Sequence, residues 1–152
     1  MTQPLKTILA PHPFGTEITE QQLIEHFQQC KLWEERYRQL IGLTKKLPNL
    51  PDELKQQDIE ISGCENRVWL GHQRLSDGCL HFYGDSEGRI VKGLLAVILT
   101  AVEGKTPEQV LQAPLTELFQ QLGLEQQLSG SRLNGVKSLI NTIQEIARSY
   151  IE

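Results

Sequence analysis

The chain reads as an α+β protein, a short antiparallel β-sheet packed against several helices. Two changes of rhythm predict this. Helical periodicity over residues 19–47 gives way to strand-like apolar runs from residue 67, and a long apolar helical run begins at residue 90. Between the two strand-like runs, Asp77-Gly78 supplies the positive-φ turn that a tight hairpin needs. At 152 residues the length suits one domain spanning residues 1–152. Such a domain buries about two-thirds of its unfolded surface, enough to fold without a disulfide or a metal.

Taken in order, residues 1–16 hold Pro4, Pro11, Pro13 and Gly15 and read as an extended N-terminal arm. Thr19-Glu20-Gln21-Gln22 is a capping-box pattern, opening a helix striped by Leu23, Ile24 and Phe27. A second helix runs from about Lys31 with Leu32, Trp33, Tyr37, Leu40, Ile41 and Leu47 on one face, and Glu34 and Glu35 in reach of Arg38. Pro48 and Pro51 end it, and a polar connector continues to Gln57. Strands are expected over Arg67–Leu75 and Cys79–Tyr83, with Gly84-Asp85-Ser86 stopping the second and Asp85 or Ser86 capping the next helix. That helix, with Ile90, Val91, Leu94, Leu95, Val97, Ile98 and Leu99, is apolar over much of its circumference and so is the central buried one. Gly104 ends it. Thr106-Pro107-Glu108 opens a short helix with proline at its first position, Leu115–Leu122 forms another, and Ser131–Tyr150 forms the last.

A net charge of −4 leaves no polybasic footprint for nucleic acid or an anionic membrane. The longest apolar run, Leu94–Leu99, falls well short of the roughly 18 residues of a membrane span, and the N-terminus lacks a secretory apolar segment. Three cysteines without framework spacing suit free thiols in a reducing cytoplasm.

Chemistry concentrates in Ile61-Ser62-Gly63-Cys64-Glu65-Asn66-Arg67-Val68-Trp69. Cys64 follows a glycine in a polar segment, a setting that exposes a thiol on a turn. Arg67 favours the thiolate and Glu65 opposes it. Cys30 and Cys79 have no such context and read as packing residues, and the absence of CxxC tells against a dithiol redox site. Cys64, His72, Cys79 and His81 lack zinc-ligand spacing, so no metal site is expected and the histidines read as half-exposed strand residues; His12 and His26 show no partner. Gly84-Asp85-Ser86-Glu87-Gly88 is not a phosphate loop, since it lacks the Walker spacing.

Blocks spread over nearly the whole chain resemble the SufE family of sulfur acceptors, closest to its CsdE branch. They are His12–Thr16, Trp33–Ile41, Leu50–Lys55, Gly63–Gly71, Gly84–Val91, Gly93–Val97 and Ser131-Arg132. The resemblance implies an IscU/SufE-like fold and a sulfur relay: Cys64 takes persulfide sulfur from a cysteine desulfurase, stimulates that enzyme and passes the sulfur on. The receiver would be an iron–sulfur cluster scaffold or an E1-like protein of tRNA modification. Gly63, Glu65, Arg67, Asp85 and Arg132 become supporting or partner-contact candidates. The chain would have no cofactor of its own, pyridoxal phosphate belonging to the partner, and would be a relay and activator rather than a free-standing enzyme. The rival reading is a cluster scaffold, which normally presents three cysteines that these positions do not supply.

Overall fold

The computed structural model describes residues 8–56, 59–61, 66–125 and 130–151, the side chains of residues 130–133 excepted. Its elements in chain order are α1 (Glu20–Gln28), α2 (Trp33–Lys46), a 3₁₀ turn at Asp52–Leu54, β1 (Val68–Arg74), β2 (Leu80–Ser86), α3 (Arg89–Val102), α4 (Pro107–Gln112), α5 (Leu115–Gln121) and α6 (Gly130–Ile151). The α+β class is as the sequence indicates.

Local chemistry sets most boundaries. Thr19 Oγ1 accepts from Gln22 N–H at 3.2 Å while Thr19 N–H donates to Gln22 Oε1 at 3.1 Å, the reciprocal cap expected for α1. Thr106 and Gln109 repeat the arrangement at α4. In α2, Glu35 keeps a charge interaction with Arg38 and also takes a capping role. Glu35 Oε1 accepts from the backbone N–H of Lys31 and Leu32, and those donors hold its carboxyl below the usual range.

β1 and β2 pair antiparallel from Val68↔Ser86 to Arg74↔Leu80. Gly78 adopts φ +88 in the connection, where Gly78 N–H donates to Leu75 O and Asp77 Oδ1 accepts from Cys79 N–H. The second strand is longer than its sequence indicated. Gly84, Asp85 and Ser86 continue the ladder opposite Leu70, Trp69 and Val68 instead of ending it. Asp85 and Ser86 therefore do not cap α3. Its N-cap is Gly88, without a side-chain bond, and Ser86 Oγ accepts from Gly88 N–H ahead of the helix.

One sheet face, with Val68, Leu70, Leu80 and Phe82, joins the main core around α3. Every residue of α3 from Ile90 to Val102 is buried, and the helix packs on the sheet, α1, α2 and α6. The α2–α3 crossing is close: a Cβ on Gly93 would stand 2.8 Å from the Leu40 carbonyl oxygen. Thr44 Oγ1 donates across the same crossing to Arg89 O at 2.7 Å.

The other face carries Trp69 and Tyr83, which pack with Leu50 and, at its margin, Ala10, Leu54 and Ile59. Here the N-terminal arm does more than extend. Leu9 N–H donates to Gln73 Oε1, and Phe14 is fully buried in the main core. The outer edge of β2 is covered too. Leu80 exchanges backbone bonds with Gly104 and Lys105, while Phe82 N–H donates to Glu103 Oε1 and Phe82 O accepts from His12 Nε2.

Gly93→Ala should force α2 and α3 apart at the Leu40 carbonyl and cost about 1–3 kcal/mol. Urea unfolding measures this; an unchanged midpoint would mean that the crossing is looser than described.

Candidate functional site

Gly63, Cys64 and Glu65 lie outside the described residues, but both flanks of their segment are built in. Ile61 N–H donates to Val68 O at 2.8 Å, and Glu60 bridges antiparallel to Trp69. The two ends of the Cys64 segment thus meet on the free edge of β1. On the downstream side, Arg67 O accepts from Ser86 Oγ at 2.9 Å and from Glu87 N–H at 3.0 Å.

Asp85 organises this root from below. It is 2 % exposed, and its carboxylate accepts from Leu50 N–H (2.9 Å) and Ser86 N–H (2.7 Å). Lys92 Nζ approaches Oδ1 at 3.0 Å and Lys55 Nζ approaches Oδ2 at 3.6 Å. Lys92 also donates to Asn49 Oδ1. One buried acid therefore joins the connector after α2, the strand end and α3. A carboxylate so enclosed needs this many donors to offset its desolvation.

On the surface, Arg67 pairs with Glu60, Nη2 with Oε1 at 2.9 Å and Nε with Oε2 at 3.2 Å. The pair keeps Glu60 below the usual carboxylate range through the hydrogen bond first. Arg67 is thus tied to Glu60 across the two flanks of the Cys64 segment. Its guanidinium and the Lys55 ammonium each stand over the Trp69 ring, at 4.9 and 4.8 Å. The buried Trp69 indole N–H has no hydrogen-bond partner among the described residues. Beside the root an open cleft of about 400 Å³ lies between Ile59–Ile61, Leu70 and His72 of β1, and Asn141 and Glu145 of α6. The Arg132 side chain lies outside the described residues.

The other two cysteines have settled positions. Cys30 is buried at the α1–α2 junction, its Sγ donating to His26 O; burial, then the Glu35 charge, pushes its thiol up. Partial desolvation and Asp77 likewise raise the Cys79 thiol. Neither is poised as a thiolate.

Two readings of the histidines are corrected. His81 is buried, not half-exposed, and His12 has partners. His12, His81 and Glu103 bring ligand-type atoms within 4.8 Å of one another. Their hydrogen bonds, however, commit the nitrogens elsewhere. Phe14 N–H donates to His12 Nδ1, so the His12 proton resides on Nε2 and goes to Phe82 O. Both His81 nitrogens face oxygens, Glu103 Oε2 at 2.6 Å and Leu9 O at 2.5 Å, which makes it a double donor. A metal on His12 Nε2 would displace that proton to Nδ1, where it would face the Phe14 N–H donor. The trio is a proton-holding group, not a ready ligand set. His72 donates to or accepts from Tyr150 Oη at 2.7 Å, and burial lowers its pKa.

Sequence reasoning missed Lys55, Glu60, Lys92 and the His12–His81–Glu103 trio. Lys92 did leave a signal, as the lone charge inside an otherwise apolar helical run.

Residues 21–147 match the family model described as SufE, Fe-S metabolism associated domain. Over 135 residues the chain is 58 % identical to the sulfur acceptor protein CsdE of Escherichia coli (strain K12), covering 88 % of this chain and 91 % of that protein. A hypothetical protein from Thermus thermophilus, solved in solution, shares the fold with a TM-score of 0.69 at 20 % identity, over 87 % of this chain and 95 % of that one. No helix among the described residues is long and apolar enough to cross a membrane. With a family match spanning α1 to α6 and a relative this similar, the chain belongs to the SufE family.

Proposed function

We propose that this protein is a sulfur acceptor: Cys64 receives sulfur from a cysteine desulfurase and delivers it onward. The observation that carries the reading is the 58 % identity to a sulfur acceptor protein over most of both chains. In the step proposed, the Cys64 thiolate attacks the outer sulfur of a persulfide on the partner. A new S–S bond forms on Cys64, the partner's S–S bond breaks, its cysteine leaves as thiolate, and the persulfide proton travels with the transferred sulfur or is exchanged with solvent. No net oxidant is needed. Removing the sulfur frees the partner's cysteine for another turnover, which is the basis of activation. Pyridoxal phosphate sits on the desulfurase in this scheme.

The geometry supports Cys64 over the other thiols, because Cys30 and Cys79 are both raised in pKa and tied into local structure. In this reading Asp85 and Arg67 are positioning residues that hold the root of the Cys64 segment, and Gly63, Glu65 and Arg132 are partner contacts. A cluster scaffold is less well supported, since the relative of 58 % identity is named a sulfur acceptor. Cytoplasmic location and a downstream receiver, either a cluster scaffold or an E1-like protein, belong to the same proposal.

With a cysteine desulfurase and L-cysteine, mass spectrometry should find one added sulfur on wild type, Cys30→Ser and Cys79→Ser, and none on Cys64→Ser. An undiminished adduct on Cys64→Ser would sink the assignment. For the root, Asp85→Ala should cost about 3–5 kcal/mol because Lys92 is left buried without its acid. Asp85→Ala/Lys92→Met should recover much of that stability but not the rate of sulfur uptake. Full recovery of uptake would reduce Asp85 to a purely structural part.

A further inference from the structure

The N-terminal arm is held by an acid–base pair rather than by apolar packing alone. Leu9 is tied at both its backbone groups, N–H to Gln73 Oε1 on β1 and carbonyl to His81 Nε2 on β2. Glu103, at the end of α3, takes the other His81 proton and also accepts from Phe82 N–H. The stacked His12 ring, 5.3 Å away, belongs to the arm itself. The Tyr83 ring on β2 lies 5.9 Å from His81. Among the described residues these are the titratable groups bonded to His81 or in ring contact with it; its cross-strand partner on β1, Gln73, does not titrate.

A second observation concerns the arm alone. Ala10 has φ +45, the only positive-φ residue other than glycine among those described. An L-residue in the left-handed region is strained, and such strain persists only where its surroundings over-determine it. The His81 bond to Leu9 on one side and the buried Phe14 on the other supply that constraint. Ala10 also packs at the margin of the Trp69–Tyr83–Leu50 cluster.

We propose that His81 and Glu103 form a proton-operated clamp that holds the strained Leu9–Phe14 strap over the Trp69 face of the sheet, and that loss of the His81 proton lets the strap lift. Without that proton one His81 nitrogen faces an oxygen with no hydrogen between them. Either the Leu9 carbonyl or the Glu103 carboxylate then loses its donor, and the Ala10 strain is no longer opposed. Lifting would expose Ala10's neighbours Trp69 and Tyr83, directly beside the root of the Cys64 segment.

The sign follows from both partners. Burial alone lowers the His81 pKa, but the Glu103 hydrogen bond and charge and the Leu9 carbonyl outweigh it, leaving it above 6.5. A raised basic group stabilises fully below 6.5 and loses its contribution as pH rises through the folded value. Burial raises Glu103, yet His12, His81 and Phe82 N–H hold it below 4.5, so its contribution is lost only as pH falls through its own folded value. The clamp is therefore firmest between these limits and opens on the alkaline side.

Hydrogen–deuterium exchange of residues 8–14, normalised to intrinsic rates from about pH 6 to 9.5, tests this on the full chain. Wild type should lose protection there by about tenfold or more while α3 stays protected. His81→Gln should be unprotected throughout, with α3 again protected. Glu103→Gln should keep the Phe82 bond and move the transition to lower pH. Ala10→Gly should raise protection by about fivefold at pH 6, since relief of left-handed strain is of order 1 kcal/mol. In a Trp33→Phe background, iodide quenching of Trp69 should rise over the same range. A pH-independent arm overturns the proposal. So does a transition that survives in His81→Gln, or loss of α3 protection together with the arm.

Discussion

A two-stranded sheet is not stable by itself, and most of this structure answers that constraint. Two strands leave two open edges and two faces. α3 covers one face with a largely apolar surface, and it can be buried on every side because its one buried charge, Lys92, meets Asp85 and Asn49. The arm and the connector after α2 cover the other, through Ala10, Leu50, Leu54 and Ile59. The β2 edge is closed by Gly104, Lys105, Glu103 and His12, and part of the β1 edge by Glu60 and Ile61. Segments that look like passive connectors are therefore structural third strands in all but name.

That arrangement also sets where the chemistry sits. The Cys64 segment springs from the edge of β1, where pairing with Glu60–Ile61 ends. The role proposed for Cys64 calls for a reachable thiol on a firm base. The firmness comes from Asp85, which draws a strand end, a connector backbone and an α3 lysine to one buried carboxylate. Ser86, bonded to that carboxylate through its N–H, passes the constraint to Arg67 through its hydroxyl.

The covered face of β2 thus displays His81, Tyr83 and Asp85 in alternation, with a charge pair at each end. At one end Asp85 pairs with Lys92 of α3, and at the other His81 pairs with Glu103 at the end of the same helix, so α3 anchors both ends of this face.

What could be read from the residues alone is what depends on neighbours along the chain. Capping boxes at Thr19 and Thr106, the Asp77-Gly78 turn and the apolar run of α3 were all legible, because each rests on contacts within a few residues. Even the recognisable blocks around Gly63-Cys64 and Gly84-Asp85-Ser86 pointed to the family before the fold was known. Roles whose partners lie far away emerged only once the chain was folded. Asp85 looked like a helix cap because Asp before a helix usually is one; a ladder with Trp69 and a backbone donor at Leu50 claimed it instead. The pairing of Arg67 with Glu60, seven residues upstream, was likewise hidden in the sequence. His12 and His81 are separated by 69 positions yet stack in one buried group. Periodicity and propensity carry no information about which distant acid meets which base, since that is settled by how the arm and connector fold back over the sheet.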